Sequence, residues 1–362
     1  MKSAASDGIA TQRARPAGGA GPDSSISGWL ASLQQLFPIP ETYRVQDVDW
    51  RKALDVLRCG EDVLSELIDN GLPSSGAAGE ARFDRHDLFN LALYSGSERS
   101  VPELAFGFAL RWMGEPATSW FEPKHWEVHL ALSCGRPDGC ANDPSFTLAR
   151  PTPEVFGGSM HTRHLIPTGA DSQDTKISAS GVSRLALSAL VETRGEQRQL
   201  RSKRLSALIS DFIGEGYRWT RMPEALERRP EAVLPHGAAN CICASLELER
   251  RCLAEGFTAR TRRGWLLGMF DFDHTWLEVL DEDGDTKAID CVFPLLGGMV
   301  RATNPQFAQT CLGSRMNRLL PTDYRADEPL ARHECGGSEA PVKQKVGIRR
   351  STAHPRRRPE CH

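Results

Sequence analysis

The stretch from residue 240 to 293 constrains the fold most, because helical and strand signals follow one another there with chemistry at each start. NCICASLELERRCLAEGF (240–257) reads as a helix opening on a cysteine. Asn240 suits the N-cap, Cys241 falls in the first turn and Gly256 supplies the stop. Ser245, Leu248 and Cys252 share the face of Cys241 and should be buried against a sheet, whereas Glu247, Arg250 and Arg251 point mostly to water. DHTWLEVL (273–280) reads as a strand with His274, Trp276 and Glu278 on one face and Thr275, Leu277 and Val279 on the other. DEDGD (281–285) carries the Asp-Gly hairpin signal, and TKAIDCVF (286–293) returns as a strand bringing Asp290 near the His274 strand.

These residue types in this order suit thiol acyl chemistry. The N-terminus of a helix favours a thiolate. A carboxylate on the neighbouring strand can hold one imidazole nitrogen and leave the other to take the thiol proton. Cys241, His274 and Asp290 are therefore the candidate nucleophile, base and orienter of a triad. The competing readings are an ordinary buried thiol, a structural histidine and a turn carboxylate among Asp281, Asp283 and Asp285.

Composition narrows the class. With 40% hydrophobic and 25% charged residues the chain reads as a soluble globular protein, and its 362 residues suffice for two ordinary domains. A net charge of −3 argues against a nucleic-acid partner. MKSAASDGIATQRARPAGGAG lacks the apolar core of a signal peptide, and no apolar run is long enough for a membrane helix. The ten cysteines have no framework spacing, so reduced thiols in a cytoplasm are expected.

Four regions are expected: a disordered tail over 1–27, a mainly helical region over 28–180, a catalytic domain over 181–332 and a basic disordered tail over 333–362. Helical spacing marks 29–37, 50–71, 86–96 and 102–114; SWFEPKHWEVHLALS holds one strand and the text after it reads as loop. Residues 168–181 read as a polar linker, about 182–193 and 198–214 as helices, and 256–270 as two short strands. The basic tail is read as a solvated segment, with docking to an acidic protein partner as the alternative.

Other motifs are weighed against bland readings. His125, His129, Cys134 and Cys140 could be drawn as a zinc site, but their spacing is not a standard one, so no metal and no cofactor is expected. His161 and His164 read as loop residues, and Trp112, Trp120 and Trp126 as core. Neither G-x-G-x-x-G after a strand nor G-x-x-x-x-G-K is present.

The cysteine at a helix start, the glycine 15 residues later, the H-x-W strand, the acidic hairpin and the strand ending in Asp resemble the transglutaminase-like superfamily. The resemblance spans about 200–295 and implies an α+β, papain-like core, with a Cys-bearing helix packed on an antiparallel sheet that carries His and Asp. It implies Cys241 as nucleophile, His274 as base then acid, and Asp290 as orienter. Cys243 remains the rival nucleophile, and Ala239 stands where many members have glycine. The implied oxyanion hole uses the Cys241 N–H plus a donor from Trp219, His236 or Asn240. The segment 293–322 and the N-terminal block lie outside the shared core and are expected to shape the pocket.

The expected activity is acyl transfer through a Cys-thioester intermediate, leaning to amide formation or transamidation of the kind used in natural-product biosynthesis. The acyl donor would be a peptide amide or carrier-bound thioester, with an amine acceptor and, in the second case, a carrier protein as partner. The alternatives are a cysteine hydrolase (peptidase or deamidase) and a catalytically dead binding protein of the same fold.

Overall fold

In a computed structural model, residues 26–351 are described except 78, 141, 269–272 and 301. The chain is mixed α+β, with several antiparallel sheets. The tail expected over 1–27 lies outside the described residues up to 25, and Ile26–Gln34 is helical.

The first layer is helical, as its periodicity indicates. Trp50–Leu57 and Glu61–Asp69 replace the single helix read over 50–71, because Arg58 turns left-handed (φ 52°) and Gly60 opens the next helix. With Arg85–Leu93 they enclose Trp29, Leu57, Leu64, Leu67, Phe83 and Leu88. Val101–Ala109 completes the helical block.

Past Lys124 the expectation of a mainly helical region fails. Lys124–Cys134 and Arg184–Thr193 pair in a four-stranded antiparallel sheet with Ser159–Ile166 and Val342–Arg350 at its edges. A second sheet orders Ser338–Glu339, Ala331–Cys335, Ser145–Ala149, Lys176–Ser180 and Asp171–Ser172. Trp126, Val128, Leu130, Leu187 and Val191 of the first sheet share a core with Phe146, Leu148 and Ile177 of the second. Three readings are corrected here. The helix expected over 182–193 is a strand, because Leu185, Leu187, Ala189, Val191 and Thr193 alternate with outward residues at period two. The linker over 168–181 contains two strands of the second sheet. Of the basic tail expected over 333–362, residues 333–335, 338–339 and 342–350 are strand, held by pairing with residues 126–134 and 145–148, and 352–362 lie outside the described residues.

The third large sheet, which carries His274, runs Leu312–Gly313, Thr286–Ile289, Asp273–Leu280, Ala259–Leu266, Leu319–Pro321, all antiparallel. Ala259–Leu266 is one strand where two were expected. Cys241–Ala254 packs across it, burying Ser245, Leu248 and Cys252 as its spacing predicts. The segment 293–322 supplies both edge strands of this sheet, and its first residue, Phe293, lies against His274. Trp265, Leu267 and Leu320 reach from this sheet into the sandwich core and join the two modules.

Candidate active site

Asn240 caps the cysteine helix as expected: its Oδ1 accepts from the Cys243 amide at 2.9 Å. Its Nδ2 donates to Glu227 Oε1 at 2.9 Å, so both ends of this amide are committed. Cys241 is the first helical residue and half-buried, and helix geometry leaves its N–H without an intrahelical acceptor.

Cys243 is placed otherwise. It is buried, and its thiol donates to the Glu227 carbonyl at 3.0 Å. Burial, followed by the Glu227 carboxyl, pushes that thiol up to about 12. Burial also holds Cys252, Cys291 and Cys311 above the ordinary thiol range. The geometry thus separates the two rivals and leaves Cys241 as the thiol beside the histidine.

His274 is the second residue of its strand, and Asp290 follows the last paired residue of the next one. The register Leu277↔Ile289, extended by one residue, sets Asp290 opposite Trp276 and diagonal to His274 on the same face. There His274 Nε2 lies 2.5 Å from Asp290 Oδ2. Asp290 Oδ1 accepts from the Val292 and Phe293 amides, both at 3.0 Å, at the start of helix Val292–Gly297. The imidazole stacks on Phe293 with ring centroids 4.3 Å apart and planes 9° from parallel. Trp112 meets Phe293 edge-on behind it.

Burial by itself would lower the His274 pKa. The Asp290 carboxylate outweighs it, the Cys241 thiol adds to the effect, and the imidazole is held well above its ordinary value of 6.5. Nε2 is taken by Asp290, so Nδ1 is the nitrogen left for the Cys241 thiol. Cys241, His274 and Asp290, chosen from sequence, are thus brought together.

The acidic hairpin is occupied elsewhere. Asp281 accepts from the Arg201 and Ser202 amides at 2.6 and 3.0 Å, and Asp283 binds Lys287 at 2.6 Å. Among the oxyanion candidates, His236 is exposed against Phe37 and the Trp219 ring packs on Phe89 and Phe106. The Asn240 side chain is committed as described above. Trp112 and Trp120 fill the core beneath the His274 sheet and Trp126 the sandwich core. His161 and His164 lie exposed on an edge strand rather than in a loop. His125 and His129 do not join Cys134 and Cys140: His125 faces Glu192 at 3.7 Å and His129 bonds Ser188 at 3.0 Å.

Sequence reasoning missed Glu227 and Arg263. Burial, then the Asp273 carboxylate, push the Glu227 carboxyl up to about 8 against the opposing Arg263. Arg263 is buried, bonds Asp273 Oδ2 and the Ala326 and Glu328 carbonyls, and lies near enough to Cys241 to interact electrostatically. Glu227 sits in a single helical turn, EALE, and Arg263 in a charge-rich strand, so neither carries a periodic signal.

No helix among the described residues is long and apolar enough to cross a membrane. No family model and no curated protein matches the chain. A solved structure from Cytophaga hutchinsonii, described as a "putative cysteine protease", is similar over 64% of this chain and 92% of its own at 11% identity, with a TM-score of 0.35.

Proposed function

We propose that this chain is a cysteine-dependent acyl-transfer enzyme of the transglutaminase-like kind. The observation that carries the reading is the buried His274–Asp290 contact at 2.5 Å, diagonal across two strands and facing the thiol at a helix start. His274 takes the Cys241 proton on Nδ1, and the thiolate attacks the carbonyl of an amide, ester or carrier-bound thioester. The tetrahedral oxyanion collapses to a Cys241 thioester as the leaving group takes the proton back from His274. An amine or water, deprotonated by His274, then resolves the thioester. A docked amine gives amide formation or transamidation, and water gives hydrolysis or deamidation. The same residues serve both, and access of water decides between them.

Alkylation of each cysteine by iodoacetamide across pH, read by peptide mass spectrometry on the native chain, tests the nucleophile. Cys241 is expected to react well below pH 7, and His274→Ala to remove that advantage. An inert Cys241, or a reactive Cys243, sinks the assignment. Incubation with a model thioester, with and without an amine, then separates transfer from hydrolysis. Amine-dependent loss of the thioester supports transfer, and loss at equal rate without amine supports the hydrolase.

A further inference from the structure

We infer that Cys134, Cys140 and His333 form a structural site for a thiophilic divalent cation, with Cys335 beside them as a further sulfur and zinc the best fit. The site lies in the sandwich, apart from the triad, and rests on none of the acyl chemistry above. Ligand atoms of Cys134, Cys140 and His333 all lie within 4.8 Å of one another. Cys140 Sγ is 3.7 Å from His333 Nε2. A tetrahedral zinc bound to one sulfur and one imidazole nitrogen sets that edge at about 3.6 Å.

The histidine is oriented as a ligand would be. His333 Nδ1 lies 2.9 Å from the Ser145 carbonyl, which can only accept, so the proton sits on Nδ1. The Nε2 lone pair is then directed at Cys140. A backbone carbonyl fixing the outer nitrogen is how proteins hold a metal-binding imidazole. The ring is buried and stacks on Phe146 at 4.2 Å, 7° from parallel, which removes its rotational freedom. Cys335 is two residues on, on the same buried face of the strand, and close enough to Cys140 to interact with it electrostatically. The Arg136 amide donates to Cys134 Sγ at 3.4 Å, a contact that stabilises a thiolate.

Two sulfurs and one imidazole, with a further sulfur near in Cys335, select zinc over magnesium or calcium, which need oxygen. Binding replaces thiol protons, which leave to solvent, and involves no redox change. Cys134 ends the strand Lys124–Cys134, Cys140 lies in the loop after it, and His333 comes from Ala331–Cys335, about 200 residues away in the chain. Only two backbone bonds among those described fasten that loop to the C-terminal hairpin: Gly135 N–H to Pro341 O and Gly336 N–H to Asn142 O, both 2.7 Å. A metal would fix this junction.

The test titrates reduced, metal-stripped full-length chain with Co²⁺ and then Zn²⁺, and follows alkylation of each cysteine with and without zinc. About one Co²⁺ should bind per chain, with a thiolate-to-cobalt charge-transfer band that zinc abolishes and Cys140→Ser weakens. Zinc should slow alkylation of Cys134, Cys140 and Cys335 at least ~10-fold while Cys241 keeps its rate. The alkylation arm uses the unaltered chain, so a variant that fails to fold leaves the test intact. Equal alkylation rates with and without zinc overturn the inference, as does a cobalt band unchanged in Cys140→Ser. A native Cys134–Cys140 disulfide that survives mild reduction also overturns it.

Discussion

Asp290 serves two neighbours at once: one oxygen holds His274, and the other accepts the first amides of a helix. In Asp290→Asn the amide oxygen can still receive those amides, so the fold should survive. The amide nitrogen would face His274 Nε2 as a donor, forcing the imidazole proton onto Nδ1, where it meets the thiol instead of accepting from it. Acyl-enzyme formation should fall by roughly 10³–10⁴-fold, as for the same change in other triads. The folded-state pKa of His274 is raised, so its contribution to stability is present in full below the unfolded value of 6.5 and is lost as pH rises through the folded value. The melting-temperature deficit of Asp290→Asn should be larger near pH 6 than near pH 9. An equal deficit at both would show that His274 is not held protonated. Glu227 gives the second residue-scale expectation. Its pKa is raised from 4.5 to about 8, so the wild type loses stability as pH climbs through that interval. Glu227→Gln can keep the bond from Asn240 and should flatten that slope, gaining of order 2 kcal/mol by pH 9 in urea unfolding. At this scale the meeting of Cys241, His274 and Asp290 is legible in the sequence, because a cap, a strand alternation and a hairpin are local signals. Glu227 was not, because its carboxyl is defined by Asn240, Asp273 and Arg263, which lie 13 to 46 residues away.

The elements differ in how far local pattern decides them. Cys241–Ala254 and the His274 hairpin fall where cap and turn chemistry put them. Arg184–Thr193 does not, since Leu and Ala favour a helix and only the alternating burial against Phe146 and Leu148 makes it a strand. Among the catalytic strands the most exacting position is Gly264, which is paired with His274. A Cβ there would come within 2.1 Å of the Leu320 carbonyl of the edge strand. That contact is backbone, so it cannot be relieved by turning a side chain. Gly264→Ala should push Leu319–Pro321 aside at a cost of roughly 1–3 kcal/mol, lowering the melting temperature by several degrees. Because the displacement begins opposite His274, the low-pH reactivity of Cys241 should fall with it. Unchanged melting and labelling would mean that the edge strand is free to shift without disturbing the histidine.

At the scale of the molecule the C-terminal segment decides a point that composition obscured. The crowding of Lys and Arg makes residues 333–362 read as a tail, yet Val342, Val346 and Ile348 face the sandwich core between those charges. Val342–Arg350 pairs along its whole length with Trp126–Cys134 and covers what would otherwise be an open edge. Its charged residues suit an edge strand, where they discourage pairing with a second chain. Truncation after Pro341 should uncover the backbone donors and acceptors of Lys124–Cys134, remove the Arg349–Glu127 contact at 2.6 Å and strip apolar cover from a core reached by Trp265 and Leu320. The expected result is a melting temperature lower by more than about 5 °C and aggregation that grows with concentration. Truncation after Ser351, which leaves every one of these pairs in place, is the control. A solvated tail would make both truncations harmless. The sandwich shares Trp265 and Leu320 with the catalytic sheet, so the shorter chain should also show slower alkylation of Cys241 at low pH. If it aggregates while Cys241 keeps its reactivity, the sandwich and the triad are energetically independent, and the helical and catalytic layers alone hold the site.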